Sequence, residues 1–150
     1  MVETLYISKR MTIKASGCIL LSEDTKRILL QLRRPDRRRK NYWGFWGGSA
    51  EGNEMPVQTI ERELAEELGF MPEITKFYPL HKMISNDHSF EYDTFLATVP
   101  TEFTPSINGE SEGYAWVNYN RYPVPLHPGA KLVLQNPQIM SKIKTVVDQL

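Results

Sequence analysis

The stretch GSAEGNEMPVQTIERELAEELGF, Gly48 to Phe70, reads as a loop that enters a helix and leaves it again. Pro56 suits a first helical turn, where its missing N–H would be unpaired in any case. Asn53 and Glu54 lie just before it, where a capping side chain and a negative charge are both favourable. Gly69 sits where a helix ends in a left-handed turn. Between them Val57, Ile60, Leu64 and Leu68 recur at helical spacing and predict a core-facing stripe. Glu63, Glu66 and Glu67 fall at i, i+3 and i+4, on neighbouring positions of one surface. At 100° per residue this trio centres roughly 115° from the apolar stripe, so one side packs while an adjacent side presents acid to solvent or to a cleft.

Like charges at that spacing repel by a few tenths of a kcal/mol per pair, even when exposed. A hard divalent cation would turn the repulsion into attraction, and Mg²⁺ prefers oxygen ligands while keeping waters and phosphates in its shell. Taken alone, an acidic helix face is ordinary surface. The full pattern is not: Gly48, five residues, Glu54, seven residues, Arg62-Glu63, Leu64, one residue, Glu66-Glu67, one residue, Gly69, Phe70. It resembles the box of the Nudix hydrolase family at every position. Seven of those positions demand a single residue type, so a random match in a chain of this length has a chance on the order of one in ten million or less.

The resemblance implies an α/β fold, the Nudix α/β/α sandwich with a mixed β-sheet, as one domain over residues 1–150. It implies hydrolysis of a nucleoside diphosphate linked to another moiety, by water attack on phosphorus assisted by Mg²⁺ or Mn²⁺. Carried over position by position, Glu63, Glu66 and Glu67 would be metal ligands, and Glu66 or Glu67 could also orient or deprotonate the water. Arg62 and Glu54 would stand behind the ligands, with the planar Arg62 fork bracing carboxylates. Gly48 would let backbone approach the helix and the metal-bound phosphates closely. A further glutamate often comes from a later loop in this family. Glu110 and Glu112, before the Trp116 strand, are the candidates, against the plain alternative of a solvated acidic loop.

Outward from the box, Met11 to Leu21 and Arg27 to Leu32 are apolar runs parted by a turn composition, Ser22 to Lys26. Ile74 to Ile84, Phe90 to Val99 and Tyr114 to Val117 read as further strands, Pro123 to Pro128 as irregular, and Pro137 to Leu150 as an amphipathic helix. The order suggests a mixed sheet covered by helices.

The 150 residues carry 18 basic and 18 acidic side chains, so global charge does not announce nucleic acid or membrane binding. The single cysteine, Cys18, excludes an intrachain disulfide and a cysteine-based zinc cluster, and its apolar surroundings suggest a structural thiol. No signal-like or bilayer-length apolar run is present, which predicts a cytoplasmic protein. The three histidines have no metal-ligand spacing. The basic stretch Arg33 to Lys40 could attract a polyanion or an RNA 5′ end, or be solvated loop. Arg33, which ends the preceding strand, is the member assigned to substrate phosphate. Trp43, Phe45 and Trp46 could stack a base or fill the core.

The markers that separate substrates are absent. Ser85 and Asn86 stand where ADP-ribose hydrolases often carry proline, and Asn86 to His88 where dinucleoside polyphosphate hydrolases often carry tyrosine. The first expectation is therefore broad: ADP-ribose, dinucleoside polyphosphates or FAD-like compounds. Nucleoside triphosphates come second, nucleotide-capped RNA third. A nucleotide-binding regulatory module without catalysis is the alternative outside enzymes. A homodimer using the segment before Met11 is also open.

Overall fold

The computed structural model describes residues 12–37 and 40–150. The strand start expected at Met11, the segment before it and Arg38 and Arg39 of the basic loop lie outside them. Among the described residues seven strands form one mixed sheet: β1 (Ile13–Ser22), β2 (Arg27–Arg33), β3 (Tyr42–Gly44), β4 (Trp46–Ser49), β5 (Lys76–Ile84), β6 (Phe90–Val99) and β7 (Ser111–Asn118). Among the described residues three helices cover it: α1 (Pro56–Leu68), α2 (Pro128–Leu134) and α3 (Pro137–Asp148).

The main path runs β3-β2-β1-β6-β5, with β4 paired to β1 and β7 paired to β2. β1 lies parallel to β6 along its whole length. On its other side it pairs β4 over Ala15 to Cys18 and β2 over Leu20 and Leu21. β1 thus hands over from one neighbour to another halfway along, and β2 and β4 diverge there. The alternation of β1 supplies both cores. Ile19 and Leu21 pack with Leu96, Val133 and Ile143 under α2 and α3, while Cys18 and Leu20 pack with Trp46, Ile60 and Leu64 under α1. This is the expected α/β/α sandwich.

Three differences from the sequence reading have local causes. β3 and β4 are short and glycine-rich, so neither shows a strand period; they form because β2 and β1 offer open edges. α2 begins at Pro128, within what reads as irregular chain; His127 caps it, its Nδ1 accepting from Gly129 N, and Ala130, Val133 and Leu134 bury at helical spacing. α1 begins after Met55 rather than after a polar cap. Met55 N–H is instead satisfied by Gln58 Oε1 at 2.8 Å, and Asn53 plays no cap. At the other end Gly69 has φ +80° in the left-handed region, as expected.

Pro79 sits in β5, an edge strand where a missing N–H is tolerated. The register slips between Pro79 and His81, so His81 and Met83 share the face of Leu80, toward α2. No helix of the described residues is long and apolar enough to cross a membrane.

Candidate active site

α1 crosses the sheet next to β4, and its carboxylates meet very different surroundings. Measured from the apolar stripe, Glu67 lies roughly 65° away, Glu63 roughly 105° and Glu66 roughly 165°. Their exposure follows that order: Glu67 is 4% exposed as a residue, and the Glu63 and Glu66 side chains are 17% and 57% exposed. The sequence reading placed all three on a face open to solvent or a cleft; Glu67 is in fact inside the wall.

Glu67 is held there by the strands. Its Oε1 accepts from Gly47 N of β4 at 2.8 Å, and its Oε2 from Gln31 Nε2 of β2 at 3.4 Å. Gln31 also donates to Phe45 O at 2.8 Å and accepts from the Ser111 hydroxyl. These contacts favour the ionised carboxylate, but burial wins and pushes Glu67 up to about 7 from the ordinary 4.5, with Glu63 and Glu110 raising it further. Burial also raises Glu63, opposed by Arg62 and assisted by Glu66 and Glu110.

Arg62 is the brace. Its Nε and Nη2 grip Glu54 at 2.8 and 3.0 Å, Nη2 also reaches Ser49 O at 2.9 Å, and Nη1 reaches Glu63 Oε1 at 2.9 Å. The fork ties loop and helix together and holds Glu54 down at about 2. Glu54 also accepts from Glu51 N and the Thr59 hydroxyl, closing the loop before α1. Gly48 is what lets Glu63 lie against β4: a Cβ there would sit 2.6 Å from Glu63 Oε1.

The later acidic loop separates its two candidates. Asn108 Nδ2 donates to Glu66 O at 3.3 Å, pinning the loop to α1, and Glu110 is the residue whose charge reaches Glu63 and Glu67. Glu112 is bonded to Asn41 instead. Arg34 N donates to Glu110 O at 3.0 Å, so the basic stretch starts against the acidic loop.

Across the sheet from α1 lies a cavity of about 230 Å³ between β5, β6 and α2. Arg33 and Phe45 line it. Trp43 is half-buried against the α2 core, with its backbone paired to Pro125 and His127. Trp46 is a correction: it is fully buried under α1 with its Nε1 donating to Leu29 O at 3.0 Å, so it fills core and offers no stacking face. Cys18 is buried and its thiol pushed far up by desolvation, a structural residue.

Sequence reasoning missed Gln31, Ser111, Tyr92 and Thr94. Gln31 carried a signal, being a lone polar residue inside Ile28-Leu29-Leu30-Gln31-Leu32. Tyr92 crosses toward β1 because Gly17 leaves room; a Cβ at position 17 would lie 2.1 Å from its hydroxyl. Tyr92 feels both Arg33 and Glu67, which connects the cavity to the carboxylates.

The raised Glu67 has a measurable consequence. The native state holds a proton up to about pH 7 that the unfolded chain releases near 4.5. Native stability is therefore expected to fall as pH rises through that window, by on the order of 3 kcal/mol in metal-free protein. Urea midpoints at pH 5 and pH 8 check it; a midpoint that rises or stays level contradicts the burial of this charge.

A family model described as NUDIX domain matches residues 11–136. A Mycobacterium tuberculosis protein provisionally named 8-oxo-dGTP diphosphatase 3 is 30% identical over 123 residues, covering 77% of this chain and 57% of that protein. The chain thus spans little more than half the length of the curated relative it matches. Among solved structures, a Nudix hydrolase from M. smegmatis superposes with TM-score 0.69 at 20% identity, covering 91% of this chain and 87% of that one. A MutT NUDIX hydrolase from Burkholderia pseudomallei gives 0.63 at 21% identity, covering 84% and 98%. These likenesses establish the fold.

Proposed function

Because the chain belongs to the NUDIX domain family, we propose that it is a divalent-metal-dependent hydrolase of the pyrophosphate link in nucleotides. The observation that carries this reading is the carboxylate wall of α1: a complete box in which Glu67 is buried, Glu63 half-buried and Glu66 exposed, with Arg62 bracing Glu63 and Glu66 and the strands holding Glu67.

The donor set fits a hard cation. Glu66 and Glu110 push Glu63 up, and Glu63 and Glu110 push Glu67 up. Among the described residues the guanidinium that reaches this wall, Arg62, is committed to Glu54, Ser49 and Glu63, with a longer contact to Glu66. Among the described residues no three Asp, Glu, His or Cys side chains form a ready-made cage. Mg²⁺ suits that arrangement, since it takes one or two carboxylates and completes its shell with water and phosphate oxygens. Glu63, Glu66 and Glu67 are the carboxylates from which those one or two ligands would come, the others acting through bound water, with Mn²⁺ as an alternative and Gly48 keeping the backbone clear. When bound, the cation supplies an activated water and charge neutralisation at the phosphates.

The chain's own residues do the rest. Glu67, fixed between Gly47 and Gln31, is placed to take the proton of the attacking water, with Glu66 as the exposed alternative. Glu110 lies close enough to share that work; Glu112, turned to Asn41, is set aside. Arg33, at the cavity mouth, would take a substrate phosphate, and Phe45 the face of a base.

The substrate is first a nucleoside diphosphate joined to another moiety. Nucleoside triphosphates are a second reading, favoured by the name of the mycobacterial relative. Capped RNA rests on the basic stretch, of which Arg38 and Arg39 lie outside the described residues. Phosphate release after phosphatase coupling, over ADP-ribose, dinucleoside polyphosphates, FAD and nucleoside triphosphates, tests all of these. Cleavage of one group is expected with Mg²⁺ and its loss with EDTA, reversed by re-addition. Cleavage that survives EDTA would remove the metal from the reading, and no cleavage with either cation would turn it toward nucleotide binding without chemistry.

A further inference from the structure

The cavity beneath α2 has a chemistry of its own that the box does not dictate. Its apolar wall is Phe45, Met83, Phe90, Ala130, Leu132 and Val133, and its polar wall is Arg33, His81, Tyr92, Thr94 and His127. Among the described residues no Asp, Glu, Asn or Gln side chain lines it. Arg33 can only donate, while each imidazole and hydroxyl can donate one hydrogen bond and accept another. The wall thus has one obligate donor, no obligate acceptor, and few groups able to take more than a single N–H.

Thr94 is the polar group at its base. It is 2% exposed, and on β6 it shares the face of Phe90 and Tyr92, two residues along from the latter. Its hydroxyl has no hydrogen-bond partner among the described residues, where every fully enclosed side-chain polar atom is paired. Thr94 also borders a groove beside Pro79 and Lys82, but its side chain stands on the Phe90–Tyr92 face of β6, where the cavity lies. His81, its cross-strand neighbour, is turned to the same face by the slip at Pro79. An unpaired hydroxyl in so buried a residue is a recognition point for a ligand. The volume, about 230 Å³, suits one small ring rather than an extended ligand.

Resting on the reading that the substrate is a nucleotide, we infer that this cavity selects a pyrimidine base with two carbonyl acceptors and rejects guanine, with Thr94 as the specificity-determining residue. Uracil or thymine offers two carbonyl oxygens to the donors and a single N–H to the Thr94 oxygen. Guanine would bury N1–H and the 2-amino group against a wall with no carboxylate or amide to accept them, and unpaired buried donors are where discrimination is strongest. The preference thus differs from the base in the name of the mycobacterial relative.

The test is binding without turnover: titration of UMP, CMP, AMP and GMP into the metal-free whole chain, followed by calorimetry and by the NMR signals of the cavity aromatics. All four share the phosphate, so differences report the base. UMP is expected to bind about tenfold or more tighter than GMP. Thr94→Val should erase most of that preference, and Thr94→Ser, which keeps the hydroxyl, should retain it. Equal or tighter binding of GMP overturns the inference, as does selectivity unchanged in T94V or no saturable binding of any monophosphate. Selective binding in a chain that hydrolyses nothing would instead sink the enzymatic reading and leave the cavity's preference standing.

Discussion

Glu67→Gln is expected to lower turnover by roughly 10²- to 10⁴-fold while making the metal-free protein more stable at pH 8. The two effects share one cause. Glu67 is 4% exposed and its carboxyl is pushed up to about 7 mainly by desolvation, so at pH 8 the fold carries a buried charge whose surroundings do not repay it. Glutamine keeps an oxygen to accept from Gly47 N, now at 2.8 Å. It gives up only the long contact to Gln31 Nε2 at 3.4 Å, where two amide donors would face each other. It removes the negative charge and the capacity to take a proton, the two properties the chemistry needs.

The paired readout separates this account from a structural one. If Glu67 merely held strands together, the variant would lose activity and stability in parallel. If it is the strained member of the site, activity falls while the urea midpoint at pH 8 rises. The gain should vanish at pH 5, where Glu67 in the parent is already protonated. Equal Mg²⁺-dependent activity in the variant would dismiss Glu67 from the site altogether. A site that carries such a group trades stability for function.

Much of this was legible from residue order because the signals were local. α1 runs from Pro56 to Leu68 as its proline, its stripe and Gly69 predict, and β6 spans Phe90–Val99 as its alternation predicts. The role of Arg62 as a brace follows from its planar fork and the charges around it. What was illegible depends on contacts across the sheet. A helical wheel counts neighbours on the helix alone and cannot say that Gln31 and Gly47 close over Glu67. Trp46 reads as able either to stack a base or to fill the core, and alternation on β4 sends it beneath α1. Thr94 reads as an unremarkable member of an amphipathic strand until β5 slips by one residue and α2, itself hidden behind prolines, roofs the space.

The adjacent glycines of β4 should respond in opposite ways to the same added methyl group. Gly47 has φ +139°, and a Cβ there would lie 2.1 Å from the Ser16 carbonyl oxygen and 2.9 Å from Gly17 Cα. Both obstacles are backbone of the paired strand β1, so neither can swing aside. Gly47→Ala must therefore push β4 off β1 or distort the strand, and it should cost about 3 kcal/mol or more by urea denaturation, or prevent folding. At Gly48 the obstacle is the Glu63 carboxylate at 2.6 Å, the far end of a flexible side chain, and no left-handed φ is involved. Gly48→Ala should fold with a loss of about 1 kcal/mol or less, yet turn Glu63 away from β4 and break its contact with Arg62. Its signature is a raised Mg²⁺ requirement for activity at near-parental stability. A tolerated Gly47→Ala would show that β4 does not ride as close to β1 as described. If Gly48→Ala keeps the parental Mg²⁺ dependence, Glu63 is not positioned by that glycine.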